Sequence, residues 1–452
     1  MLICENIKKI ILGYFVFLYP LMFCQIFIVN TFLWRLKNMN PIEYKTKDLE
    51  DYFYSLKKMY PTAYDKDKTD PYTKTRVILM NGTEYESVWF MHQFARHCNE
   101  PEILKSLAII RNQEQWQQKR IACLKPIDES ILETTIGYEQ LAIDLTASLA
   151  LYEKDENNLK ALNFALLEDF DHLYRFANLL KMDKNIDAKK LVGCYTEIMP
   201  GRPTIAEHRH PTDNLRNPMN AEKAELYSKL VGCTITAAEQ QTMNYYMNIS
   251  QWYKNDLGRK LYAEIAMVEE EHVTQYESLK DPTLTWLEQW VMHEYAETYL
   301  YYSAYEDEVD KNIKEIWLEH FEMECAHLKE AIRLLEKYEK KKYCTVIGDG
   351  EYPVLLKIGS NKEYIREVIE NTINLTSKDL NYVEVEHLKD KDKFFMFQKA
   401  FVGEDFKCVP SHQVIALAIK ELGEDYRYQD SPHPIKELDN RKKDNTTIAR
   451  TN

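Results

Sequence analysis

Glycine is scarce in this chain, 12 of 452 residues, while Glu, Lys, Leu, Tyr and Ala abound. So few residues suited to left-handed backbone argue against a turn-rich β architecture and favour long helices. Positive charge is also short: 58 Lys and Arg stand against 72 Asp and Glu, a net charge of −14. No basic stripe interleaved with aromatics appears. Sequence-independent binding to nucleic acid needs such a patch to displace counterions, so nucleic acid is not an expected partner. The nine cysteines are odd in number, scattered and never spaced C-x-x-C. A disulfide framework or a thiolate zinc site is not expected, and a reducing compartment, the cytoplasm, is the simplest reading.

A long apolar run occurs once. Lys8 and Lys9 precede Ile10 to Trp34, followed by Arg35 and Lys37. About 20 apolar residues suffice to cross a bilayer as a helix. Two readings fit residues 1–38: a membrane anchor, which would make the protein membrane-attached, or a start set too early, with Met39 opening the chain. No small-x-small cleavage site ends the run, which argues against a signal peptide.

The segment from Asp48 to Gly82 is polar and Tyr-rich, with Pro61 and Pro71 as breakers. Helical periodicity begins near Glu84, and Pro101 opens a second helix through Ile121. Residues 39–127 are thus an N-terminal helical region. Residues 128–340 carry three helical hairpins. The first starts near Asp128 or Ser130, turns at Glu153–Asn158 and returns through Leu180. A long connection, Lys181 to Ile235, holds Pro200, Pro203, Pro211 and Pro218 and a helix around Ala221 to Leu230. The second hairpin runs from Thr236 to Leu279 and the third from about Thr285 to Tyr338. In residues 341–428 the texture is α/β: Glu351 to Ile358 and Tyr382 to Glu386 read as strands, Lys362 to Ile373 and Ser411 to Leu422 as helices. Residues 429–452 read as a polar, disordered tail. The expected class is mainly α.

One spacing recurs. Glu139 stands thirty residues before Asp169, with His172 three further on; Glu239, Glu269 and His272 repeat it, as do Glu294, Glu324 and His327. An acid and a histidine three apart lie on nearly one helix face. In the first hairpin the legs from turn to acid are roughly 22 and 18 Å at 1.5 Å per residue, so the two carboxylates face each other at similar heights. Two such hairpins face to face surround one point with four carboxylates and two imidazoles. That oxygen-rich set suits iron or manganese rather than zinc or copper.

The residues Glu139, Asp169, His172, Glu239, Glu269 and His272 resemble the ferritin-like superfamily of rubrerythrin and bacterioferritin type. The resemblance covers about 150 residues and implies a four-helix bundle with a long crossover joining its hairpins. It implies a di-iron or iron/manganese centre acting on O2 or peroxide, as a ferroxidase or peroxidase. Glu139, Asp169 and His172 would hold one ion, and Glu239, Glu269 and His272 the other. Hairpin three, with Glu294, Glu324 and His327, lies outside the family pattern. It would pack against the bundle, replacing a ligand set or completing a site across a homodimer. Asp169 stands where the family has Glu, so the neighbouring Glu168 is an alternative. The C-x-x-C electron-transfer domain of rubrerythrins is absent.

Plainer readings accompany these. Acid-x-x-His also precedes His210, His387 and His433, outside the helices. Thr236-Ala-Ala-Glu239 reads as a capping box, in which Glu239 would bond backbone and Glu264 would be the reserve ligand. Glu270 and Glu271 read as solvated, and His208 and His210 as surface loop residues. Tyr299, Tyr301, Tyr302 and Tyr305 read as core residues with polar tips rather than redox relays. A metal-free helical scaffold or interaction protein, with the α/β part recognising a partner, is the alternative function.

Overall fold

The computed structural model describes residues 39–220, 222–403 and 408–441. The apolar run at residues 10–34 and the tail beyond residue 441 lie outside them. Eight long helices make the body: α1 (Pro71–Arg96), α2 (Pro101–Ala122), α3 (Ile131–Ala150), α4 (Glu156–Lys184), α5 (Leu226–Trp252), α6 (Asp256–Leu279), α7 (Trp286–Asp307) and α8 (Lys311–Glu339). Their starts follow from local chemistry. Ser130 and Thr285 form capping boxes with Glu133 and Glu288. Asp155, Asn255 and Asp310 each accept two backbone N–H groups where α4, α6 and α8 turn back. Such caps satisfy donors that the first helical turn leaves unpaired.

The hairpins pair into two four-helix bundles. In the central bundle α3/α4 packs on α5/α6; in the flanking bundle α1/α2 packs on α7/α8, and α1 also lies against α3 and α5. Two hydrophobic clusters fill the bundles, and the flanking one runs on into the central helices through Leu141, Leu145, Leu162 and Tyr276. Leu132, Ile143, Phe170, Phe176 and Ile265 belong to the central one, and Leu107, Ile110, Trp290, Trp317 and Phe321 to the flanking one. Gly82 is where α1 meets α5: a Cβ there would fall 2.6 Å from Gln241 Nε2. Gln241 in turn donates to Ile78 O at 2.8 Å.

Several expectations change. Pro71 occupies the first turn of α1, with Asp70 capping it, so a residue read as a breaker opens a helix. Hairpin three therefore pairs with the N-terminal region, which is itself a hairpin, rather than leaning alone on the central bundle. Helix α5 begins at Leu226, ten residues before Thr236, because the connection ends sooner than the prolines suggest.

Glu351–Ile358 is extended but pairs with no strand; side chains of α7 satisfy it instead. Tyr295 and Tyr299 donate to the Glu351 and Val354 carbonyls at 3.0 and 2.8 Å, and the Leu356 N–H donates to Ser303 Oγ at 3.2 Å. The sheet is one antiparallel pair, β1 (Leu375–Lys378) and β2 (Asn381–Glu384). The turn residues Asp379 and Leu380 both have positive φ, as a two-residue hairpin loop of matching twist requires. Helices α9 (Lys362–Thr372), α10 (Lys393–Val402) and α11 (Pro410–Leu422) complete the C-terminal part, and α10 had no counterpart in the periodicity. Residues 429–441, read as tail, pack on the body: Asp430 N donates to Glu197 at 2.5 Å, His433 Nε2 to Pro200 O at 2.7 Å, and Leu438 is buried. Among the described residues no helix is long and apolar enough to cross a membrane.

Candidate metal centres

In the central bundle each helix contributes inward. Glu139 comes from α3, Asp169 and His172 from α4, Glu239 from α5, Glu269 and His272 from α6, and all six are buried. Ligand atoms of Glu139, Asp169, His172 and Glu269 lie within 4.8 Å of one another, as do those of Asp169, Glu239, Glu269 and His272. Asp169 and Glu269 belong to both groups, which makes them the shared carboxylates. His172 Nδ1 is 3.1 Å from Glu269 Oε1; His272 Nδ1 is 3.3 Å from Glu269 Oε2, 3.4 Å from Asp169 Oδ1 and 3.7 Å from Glu239 Oε2.

The outward nitrogens are tied down. His172 Nε2 meets Glu207 Oε2 at 3.0 Å, and His272 Nε2 meets Glu168 Oε2 at 2.8 Å. A carboxylate on Nε2–H fixes the tautomer and leaves the Nδ1 lone pair facing the cluster. Glu207 sits in a buried strap within the α4–α5 connection, on the short helix Thr204–Glu207. Arg202 and Arg209 of that strap donate to Glu168 Oε1 at 2.7 and 2.8 Å. Gly201 lets the strap touch α4, since a Cβ there would lie 2.6 Å from Leu167 O.

Electrostatics mark this as a stressed site. Burial pushes the Glu139 and Asp169 carboxyls well above their ordinary range and Glu239 to about 7. Glu269 is buried too, but the His172 hydrogen bond and the His272 imidazole 3.3 Å away hold it at about 2. Burial opposes charge on both imidazoles, yet Glu207 and Glu269 raise His172, and Asp169 with Glu168 raises His272. Among the described residues the two histidines are the only cationic partners of the four inner carboxylates.

Both oxygens of Asp169 and of Glu239, Glu139 Oε2, Glu269 Oε2 and His272 Nδ1 are buried without a hydrogen-bond partner. Leaving a buried ionised group uncompensated costs several kcal/mol, of order 3–5 when a pair is broken. The donor set and its orphaned atoms fit divalent cations.

The flanking bundle holds a second cluster. Glu294, Glu324 and His327 of hairpin three meet Glu114 of α2, again within 4.8 Å. The set is thus closed within the chain. Glu84, Glu114 and Glu297 form an adjoining group.

Other residues depart from expectation. Thr236 lies inside α5 and donates to Gly232 O at 2.7 Å, so no capping box engages Glu239, which points into the cluster. Asp169, not Glu168, is the inward acid of α4. Glu264 accepts from the Ser411 N–H and hydroxyl at 2.8 and 3.0 Å and serves the α11 start instead. Glu271 and His208, read as solvated, are buried: Glu271 pairs with Arg209 at 3.3 Å and His208 with Glu264 at 3.4 Å. The strap covers them. Glu270 and His210 are half-buried.

Sequence reasoning missed Glu84, Glu114 and Gln117, although their spacing matches the three hairpins, because the pattern sought ended in His. It also missed Glu207, for which a proline-rich connection gives no periodic signal. No family model, curated protein or solved structure matches this chain.

Proposed function

We propose that the central bundle binds two divalent ions, iron or iron with manganese, and that the protein is a ferritin-like oxidoreductase acting on O2 or peroxide. The observation that carries this reading is the pair of imidazoles whose Nδ1 atoms face four buried carboxylates, each with at least one oxygen lacking a hydrogen-bond partner, while Nε2 is anchored outside. Glu139, Asp169 and His172 would hold one ion and Glu239, Glu269 and His272 the other, with Asp169 and Glu269 reaching both. Iron held there supplies one-electron redox chemistry toward an oxidant.

The chain's own contribution is positional. Glu207 and Glu168 keep the imidazoles in the ligating tautomer, and the Tyr246 hydroxyl donates to Glu139 and orients it. Tyr246, Tyr262 and Phe176 pack at tilted angles beside the site and keep bulk water from it. Among the described residues Cys98, Cys123, Cys194, Cys233, Cys325 and Cys344 are free thiols, which supports a cytoplasmic setting.

Fold alone does not select a substrate. The test is iron(II) loading without oxygen, followed by O2 uptake in wild type and Glu269→Gln. Uptake coupled to bound iron, lost in the variant with its fold intact, supports the reading. Metal-free protein with no uptake favours a helical scaffold.

A further inference from the structure

The flanking bundle repeats the central one position by position. One constant offset separates Glu84 from Glu139, Glu114 from Asp169 and Gln117 from His172. The same offset separates Glu239 from Glu294, Tyr246 from Tyr301, Glu269 from Glu324 and His272 from His327. The tyrosines keep their roles: Tyr246 donates to Glu139 and Tyr301 to Glu84. So does the remaining histidine. His327 Nδ1 is 2.9 Å from Glu324 Oε2 and 3.0 Å from Glu114 Oε1, while Nε2 donates to Gln113 Oε1 at 2.8 Å.

Beside the milder exchanges of Asp169 for Glu114 and Glu168 for Gln113, two positions change the kind of inward ligand, and they change together. Gln117 replaces the imidazole of His172, its amide donating to Glu324. Glu297 stands where the central bundle has Thr242, whose hydroxyl turns back to Ala238 O at 3.0 Å. A nitrogen ligand is lost and a carboxylate gained within one cluster. Glu84 Oε2, Glu114 Oε2, Gln117 Oε1, Glu294 Oε2 and Glu297 Oε1 are all buried with no hydrogen-bond partner. Apart from that of Gln117, these orphaned atoms, an observation independent of the acid count, belong to side chains whose ligand atoms lie within 4.8 Å of one another in each acidic group.

We propose that the flanking bundle holds a second pair of divalent cations: one at Glu114, Glu294, Glu324 and His327, and a hard, Mn2+-class ion at the all-oxygen position of Glu84, Glu114 and Glu297. Carboxylate and carbonyl oxygens suit magnesium, calcium and manganese, whereas imidazole suits iron and zinc. Glu114 reaches both ions, as Asp169 does in the central bundle. A cavity of about 90 Å³ is lined by Glu86, Phe90, Lys229, Cys233, Lys280 and His293. Of these, His293 adjoins the cluster, its Nε2 3.7 Å from Glu297 Oε2.

The test counts Mn2+, supplied alone, retained by the full chain after gel filtration. Wild type is compared with Glu114→Ala, with a His172→Ala/His272→Ala double variant and with Gln117→His/Glu297→Thr. Glu114→Ala is expected to lose about two ions per chain and the double histidine variant a separate two. In a separate Mn2+/Fe2+ competition without oxygen, Gln117→His/Glu297→Thr, which restores the imidazole and removes the extra carboxylate, is expected to shift preference from Mn2+ toward Fe2+ by about tenfold. If Glu114→Ala, folded by circular dichroism, keeps the wild-type count, the proposal is overturned. If that variant does not fold, unchanged selectivity in Gln117→His/Glu297→Thr overturns it equally. A wild-type count unaffected by the histidine pair but lowered by Glu114→Ala would reject the central reading and leave this one standing.

Discussion

His172 and Glu207 are joined at 3.0 Å on the side of the imidazole that faces away from the carboxylate cluster. Burial pushes Glu207 to about 8 against the pull of His172, so the pair shares a proton that belongs on Nε2 when Nδ1 is a ligand. Groups of this kind tune metal affinity without touching the metal. Glu207→Gln is expected to weaken binding about tenfold or more, with helical content unchanged. A competition titration against a chelator of known affinity reads this directly; equal affinity would show that the strap does not set the tautomer.

Arg76 fixes the end of α7 to the start of α1. Its Nε and Nη1 meet Glu308 Oε2 and Asp307 Oδ2, each at 2.9 Å, and Glu308 is buried. Arg76→Met leaves the Glu308 carboxylate without its cation and should cost about 3–5 kcal/mol in denaturant unfolding. Adding Glu308→Leu should recover most of that loss. A single variant as stable as wild type would refute the assignment.

Asp144 predicts a pH dependence. Burial raises its carboxyl to about 7, although Thr196 and Tyr72 donate to it at 2.7 and 3.1 Å. An aspartate ordinarily titrates near 3.8, so between about 4 and 7 the folded state binds the extra proton. Stability therefore falls as pH rises through that window. Asp144→Asn removes the titrating group, and its unfolding free energy should vary less between pH 5 and 8 than that of wild type. An identical slope in both proteins would contradict this.

The helices were legible where apolar periodicity and caps coincide, as at Ser130, Pro101 and Thr285. The inward acids were legible because acid-x-x-His at matched hairpin heights is a local signal joined to simple helix geometry. What stayed hidden depends on tertiary context. Pro71 reads as a breaker until Asp70 is seen to cap the helix it opens. Glu351–Ile358 alternates like a strand, yet α7 hydroxyls take the place of a partner strand. Glu207, Arg202 and Arg209 are polar residues in an aperiodic connection, and only the approach at Gly201 explains their burial. Of the flanking cluster, Glu294, Glu324 and His327 were legible by their spacing, while Glu84 and Glu114 were hidden by Gln117 in a histidine's place.

The central claim concerns two ions in the central bundle. It is tested most directly by anomalous diffraction from crystals of the full chain loaded with iron or manganese, recorded at the metal's absorption edge. The account predicts two peaks between α3, α4, α5 and α6, one beside His172 Nδ1 and one beside His272 Nδ1, with Asp169 and Glu269 contacting both. Loaded crystals with no peak there, and with His172 still bonded to Glu269, would contradict it.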